Sequence, residues 1–163
     1  MALSLIAVAA LREEEGSVSE KSNREVVGQY MRALVEQDFA TLEQLRHAEY
    51  VSEWPQSGER VRGVANARAI EEKYPGGFGK VETKALHGSA DRWVATPVGT
   101  VLRITGSGDV YTSLFTIVYP GDDRPWHCAA IAELRDGKVL KETIIFGAAF
   151  DAPAWRAQWV ERI

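Results

Sequence analysis

The stretch Ile131-Ala132-Glu133-Leu134-Arg135-Asp136-Gly137-Lys138-Val139, running into Thr143-Ile144-Ile145-Phe146, reads as two strands joined at Asp136-Gly137. A tight turn of that kind wants a residue at positive φ, which Gly supplies without a steric penalty. Upstream, the segments 80–87, 92–104 and 109–119 share the same richness in Val, Ile, Thr and aromatic residues. They are punctuated by Ser89-Ala90-Asp91, Gly106-Ser107-Gly108 and Pro120-Gly121-Asp122-Asp123. Connections this short permit only antiparallel neighbours, so the second half of the chain is expected to form a curled antiparallel sheet.

The first half changes period. Between Asn23 and Glu36, Val26, Val27, Tyr30, Met31 and Leu34 recur at helical spacing, with Ser22 and Glu25 placed as a capping box. Asp38 stands as the cap of a second helix whose buried stripe is Phe39, Leu42 and Leu45. A third helix is expected over 65–73, with Ala67, Ile70 and Tyr74 facing inward and Pro75-Gly76-Gly77 ending it. Helices first and strands afterwards predict an α+β domain rather than alternating βαβ units.

The bulk numbers agree with one domain. A chain of 163 residues is long enough to bury a core, and 45% hydrophobic with 26% charged residues is ordinary for a globular protein. A net charge of −4 and a pI near 5.5 argue against a nucleic-acid partner, which would leave a basic footprint. Cys128 is the single cysteine, which precludes an intrachain disulfide and suits a reducing cytoplasm. The apolar run 1–11 has no basic residue before it and is shorter than the roughly 20 residues that span a bilayer, so no membrane partner is expected. Residues 1–21 are read as a loosely ordered extension, with an inefficient export signal as the alternative, 22–150 as the domain, and 151–163 as a tail. In that tail Trp155 and Trp159 lie about one helical turn apart, so it is expected to pack on the sheet or on a partner subunit.

Two stretches together carry a family resemblance. The first runs Tyr30-Met31-Arg32-Ala33-Leu34-Val35-Glu36-Gln37-Asp38-Phe39, then Glu53-Trp54-Pro55-Gln56-Ser57-Gly58-Glu59 and Gly63; the second is the hairpin quoted above. Their order and spacing, over residues 22–150, resemble the SnoaL-like branch of the nuclear transport factor 2-like superfamily. The resemblance implies a cone-shaped curved antiparallel sheet wrapped around three N-terminal helices, with a pocket at the wide end and a homodimer through the outer sheet face. It also implies a small apolar or aromatic molecule as partner, but fold does not fix function in a superfamily holding both enzymes and interaction domains. Set against the ketosteroid isomerase pattern, Tyr30 falls at the hydrogen-bond-donating tyrosine, but Trp54 and Ala130 fall where that pattern keeps its two carboxylic acids. That mismatch argues against steroid isomerisation by the same mechanism.

Alternation sorts the last hairpin into faces. Trp126, Cys128, Ala130, Ala132 and Leu134 share one, and His127, Ala129, Ile131, Glu133 and Arg135 the other, whose charged end marks the outside. On the final strand Leu140, Glu142, Ile144 and Phe146 line up against Lys141, Thr143 and Ile145, and the resemblance places the Glu142, Ile144 and Phe146 set inward. Glu142 is then the candidate acid or base, because a desolvated carboxylate has a raised pKa. The alternative is a bulge that turns Glu142 outward beside Lys141. Tyr30 is the candidate donor, its hydroxyl meeting either a ligand or a structural partner. Trp54, Cys128, Ala130, Ile144 and Phe146 are the expected pocket residues, Trp54 as a stacking wall or a core plug.

His127 and Cys128 are strand neighbours and face opposite ways, which rules them out as a nucleophile and base pair. His47 and His87 show no ligand spacing, so no metal and no cofactor is expected. Gly76-Gly77-Phe78-Gly79 follows a helix instead of opening one and is not a phosphate loop. Three functions fit: a cofactor-independent isomerase, dehydratase, cyclase or hydrolase; a binding module with the same pocket; or an interaction domain using the sheet face and the tryptophan tail.

Overall fold

The computed structural model describes residues 22–75, 86–87, 92–95, 100–122 and 124–162. The expected 1–21 extension, segment 80–85 and the Gly76-Gly77-Phe78-Gly79 loop lie outside them. Helix α1 covers 22–36, α2 Phe39–Leu45 and α3 Val64–Glu72. The strands are β1 (Arg46–Trp54), β2 (Glu59–Arg62), β3 (Leu86–His87), β4 (Arg92–Ala95), β5 (Thr100–Ser107), β6 (Val110–Val118), β7 (Pro125–Arg135) and β8 (Lys138–Ala148). A short 3₁₀ helix, Ala154–Trp159, follows.

All eight strands join one sheet in the order β2-β1-β8-β7-β6-β5-β4-β3. From β3 to β8 every pairing is antiparallel, as the short connections require. The exception is β1, which lies parallel to β8 and makes the sheet mixed. The expected strand 92–104 is two strands, β4 and β5, paired antiparallel with each other. Arg60 and Arg62, in a stretch with no strand signal of its own, sit on β2.

Local chemistry explains the junctions. Gln37 takes a positive φ to end α1, and Asp38 caps α2 by accepting from Thr41 N at 3.0 Å and Thr41 Oγ1 at 2.6 Å. Asp136 and Gly137 both have positive φ, the geometry of a two-residue hairpin turn between β7 and β8. Gly106 is required for a different reason: a Cβ there would lie 2.3 Å from Val110 O and 2.7 Å from Tyr111 Cα, so only Gly lets β6 turn back this closely.

The core lies between the helices and the inner face of the sheet. Val27, Tyr30, Met31 and Ala33 of α1 and Leu42 of α2 bury against Tyr50, Tyr111, Ala132, Leu134 and Val139. Asn23 ties the start of α1 to the β5–β6 turn, donating to Gly108 O at 3.0 Å and Asp109 Oδ1 at 2.8 Å. On α3 only Ala67 of the expected stripe is buried; Ile70 is 40% exposed, and Glu71 turns toward the core instead.

Candidate functional site

The β7–β8 hairpin fixes the position of Glu142. Its register pairs Ala132 with Glu142, Ala130 with Ile144 and Cys128 with Phe146, but slips between Glu133 and Leu134. Val139 then pairs with Leu134, and Leu140 is the extra residue of a bulge. The bulge therefore places Val139, rather than Leu140, in the core, while Glu142, Ile144 and Phe146 keep the inner face. Glu142 is 2% exposed.

Around that carboxylate the fold gathers polar groups from three elements. Tyr30 of α1 donates to Glu142 Oε2 at 2.9 Å and Tyr50 of β1 donates to the same oxygen at 2.8 Å. The two phenol oxygens are 3.3 Å apart. Arg46, also on β1, donates to the Tyr30 hydroxyl oxygen from Nε at 3.1 Å and from Nη2 at 2.9 Å. Its other bonds form a fork on Glu71 of α3, Nη1 to Oε2 at 3.2 Å and Nη2 to Oε1 at 2.5 Å. The guanidinium carbon also lies 4.6 Å from the centre of the Tyr50 ring.

The electrostatics follow from the closure of this cluster. Burial raises the pKa of Glu142, and the Tyr50 bond, the Arg46 charge and the Tyr30 bond pull it partly back. Arg46 is already matched by Glu71, so an ionised Glu142 adds a buried negative charge with no cation of its own. Burial opposes the Arg46 charge too, but the Tyr30 oxygen and Glu71 outweigh it and its pKa rises. Tyr30 and Tyr50 are both raised, first by burial and next by the Glu142 charge, so they stay neutral O–H donors. A carboxyl group whose pKa is raised by burial, beside two permanent donors, is an arrangement that can serve proton transfer.

Ser52 is the cross-strand neighbour of Glu142 and is buried. Among the described residues its Oγ is the one buried side-chain oxygen or nitrogen without a hydrogen-bond partner. Farther along the sheet the inner face becomes apolar and less covered. Cys128 and Ala130 are buried, while Phe115, Trp126, Ile144, Phe146 and Trp54 are half-buried. Trp126 packs at 6.0 Å from Phe146 and edge-on at 5.6 Å to Tyr119, which stacks on Tyr74 at 5.8 Å. Gln56, in the β1–β2 turn, donates to Phe146 O at 2.7 Å and fastens that turn to the same end.

The fold thus brings Glu142 and Tyr30 together, and sets Cys128, Ala130, Ile144 and Phe146 as a contiguous patch beside them. Trp54 packs against the edge of the core. Cys128 has its thiol pushed up to about 11 by burial, which makes it a poor nucleophile at neutral pH. Tyr50, Arg46, Glu71 and Ser52 carry no strong sequence signal. The alternation of Tyr50, Ser52 and Trp54 is the one trace of β1 in the sequence. Among the described residues no group of His, Cys, Asp or Glu is disposed to hold a metal, and no helix is long and apolar enough to cross a membrane.

Comparison with known proteins agrees with this architecture. No curated protein matches the chain significantly. A solved NTF-2 like protein of unknown function from Burkholderia xenovorans LB400 is 30% identical, with 88% of this chain and 96% of that one covered at a TM-score of 0.65. A proposed ketosteroid isomerase from Kribbella flavida is 19% identical over 89% of this chain and 92% of its own, also at 0.65. A steroid delta-isomerase from Pseudomonas aeruginosa is 13% identical over 78% and 81%, at 0.53. The last two share the fold alone. The model of the SnoaL-like domain matches residues 27–142, the span that holds every element of the polar cluster, and the chain therefore belongs to the SnoaL-like family of the NTF2-like fold.

Proposed function

We propose that the inner face of the sheet binds a small, largely apolar organic molecule and that Glu142 performs cofactor-independent acid–base chemistry on it. Isomerisation, dehydration, cyclisation and hydrolysis are the reactions such a group serves. Glu142 moves the proton, while the Tyr30 and Tyr50 hydroxyls, both donating to its Oε2, stabilise its charged form. The observation that carries this reading is the carboxylate of Glu142 within 2.9 Å of two phenol donors, with the small residues Ala130 and Ala132 on the strand beside it. The isomerase names of two fold relatives are in keeping with it, although the carboxylate positions differ from the ketosteroid isomerase pattern.

A second reading has its own support. Tyr30, Tyr50, Arg46 and Glu142 are all buried and all bonded to each other, as a purely structural polar post would be. The domain would then be a carrier with no chemistry. Incubation with 2-tetralone in heavy water separates the two, because a general base exchanges the α-protons of an enolisable ketone. Wild-type protein should accelerate the loss of the α-proton signal, and Glu142→Gln should lower that rate about 10²-fold. Equal rates for the two proteins would end the enzymatic reading.

The proposal includes a homodimer in the cytoplasm, formed through the outer face. Leu114, Ala129 and Ile145 make one cross-strand row there, with Leu114 and Ile145 exposed. Trp155 and Trp159 are 72% and 71% exposed, so the tail does not pack on its own sheet and has apolar surface to offer a second copy. Sedimentation equilibrium should give a dimer; a monomer at high micromolar concentration would contradict this part.

A further inference from the structure

We infer that Trp126, held in place by Asp122, is the wall of the ligand site and selects flat, conjugated ring systems over saturated ones of the same size. This rests on the reading that the inner face binds an apolar molecule, and it adds the chemical class. Trp126 lies on the inner face of β7, two residues from Cys128 on the same side, and is half-buried where the core residues are closed. Its ring belongs to a run of four: Tyr74 stacked on Tyr119, Tyr119 edge-on to Trp126, Trp126 tilted against Phe146. Aromatic rings attract each other through complementary faces and edges, so a flat ring laid against the Trp126–Phe146 end of this run gains ring contacts that a puckered one does not.

What makes Trp126 more than core filling is the way it is fastened. Asp122, in the β6–β7 turn, accepts from the indole Nε1 at 3.0 Å through Oδ2. The same carboxylate takes Arg124 Nη2 at 3.0 Å on Oδ2, and Arg124 N and Nε, each at 3.0 Å, on Oδ1. The Arg124 side chain, then its backbone N–H, then Trp126 hold the Asp122 carboxyl below the usual range, so the clamp is ionised at neutral pH. An indole tethered at its nitrogen presents a fixed ring plane, and a fixed plane discriminates flat from puckered partners without the entropy cost of ordering it on binding. Asp122 is a positioning residue in this account; Trp126 is the group that touches the ligand.

The test uses 2-naphthol and trans-decahydro-2-naphthol, which share size and hydroxyl but differ in planarity. Binding to the full chain is followed by nuclear magnetic resonance, using the Trp126 indole N–H and the Ile144 methyl signals. Wild-type protein should prefer 2-naphthol by about three- to ten-fold. Asp122→Ala, a change in a surface turn, should shift the Trp126 indole signal and bring the preference toward unity. Asp122→Asn, which keeps a carbonyl acceptor, should restore most of it. Equal affinity of wild-type protein for both alcohols, with the inner-face signals moving, would overturn the planarity claim and leave the site itself standing. Inner-face signals that neither alcohol moves would overturn both.

Discussion

The inner face of the sheet has two ends built on opposite principles. At one, Tyr30, Tyr50, Tyr111, Ala132, Val139 and Glu142 are buried, and the polar atoms of Tyr30, Tyr50 and Glu142 are tied to one another. At the other, Phe115, Trp126, Ile144 and Phe146 are apolar and half-buried. Glu142 and Phe146 lie four residues apart on one strand, about 13 Å at the usual rise per residue. The closed end holds the titratable groups and is little exposed; the open end is more exposed and apolar. A ligand that enters over the aromatic residues and brings its polar end toward Glu142 would use both.

The sharpest way to separate the ends is to damage each and compare. Arg46→Met should be the most destructive single change, costing about 3 kcal/mol in urea unfolding, because it strips Glu71 and Tyr30 of a buried partner. A loss under about 1 kcal/mol would mean that the closed end does not hold the fold together. Tyr30→Phe keeps the ring and removes one donor, so about 1–2 kcal/mol is expected. Phe146→Leu, at the open end, should cost less than about 1 kcal/mol in stability yet weaken binding of a flat ligand. The smallest effect belongs to Ser52→Ala: its hydroxyl has no partner, so stability should stay within about 0.5 kcal/mol or rise slightly.

A pH series sharpens the same contrast. The Glu142 pKa is raised on folding, so the native state holds that proton over a window in which the unfolded chain has released it. From 4.5, the ordinary glutamate value, upward through the folded value, this group makes stability fall as pH rises. Asp38, Glu49, Glu53 and Asp122 are lowered and act with the opposite sign at acid pH. The difference between wild type and Glu142→Gln cancels them. It should favour the Gln variant increasingly above pH 4.5, and a flat difference would place the Glu142 pKa at its ordinary value.

The open end was far more legible in the sequence than the closed end. Period-two alternation placed Cys128, Ala130, Ile144 and Phe146 on one face, and the Asp136-Gly137 turn set their register. The helical stripe of α1 similarly exposed Tyr30 as a core residue. Strand β1 was hidden because its inner residues fall at 46, 50, 52 and 54: the irregularity between Arg46 and Val51 turns its first step into a helical i, i+4 spacing. The partner choice of β1 was also invisible, since pairing parallel to β8 depends on residues some ninety positions apart. With β1 unseen, Arg46, Tyr50 and Ser52 could not be connected to Glu142. The bulge at Leu140 shows the opposite case: alternation lines Leu140 up with Glu142, Ile144 and Phe146, yet the slip takes Leu140 out of that row and leaves Glu142 on the expected inner face. On α3, periodicity marks Ile70 as buried, but the helix turns the adjacent Glu71 toward Arg46 and leaves Ile70 40% exposed.

The central claim is that Glu142 is an acid–base group at the buried end of a ligand site, and its carboxyl carbon reports on that directly. With ¹³C-labelled glutamate, the Glu142 resonance, assigned by its loss in Glu142→Gln, can be titrated with and without 2-naphthol. The account predicts a midpoint above the ordinary glutamate value in the free protein and a further displacement when the alcohol is bound. A midpoint at the ordinary value, unmoved by ligand, would mean that the cluster is a structural post and that function lies elsewhere on the molecule.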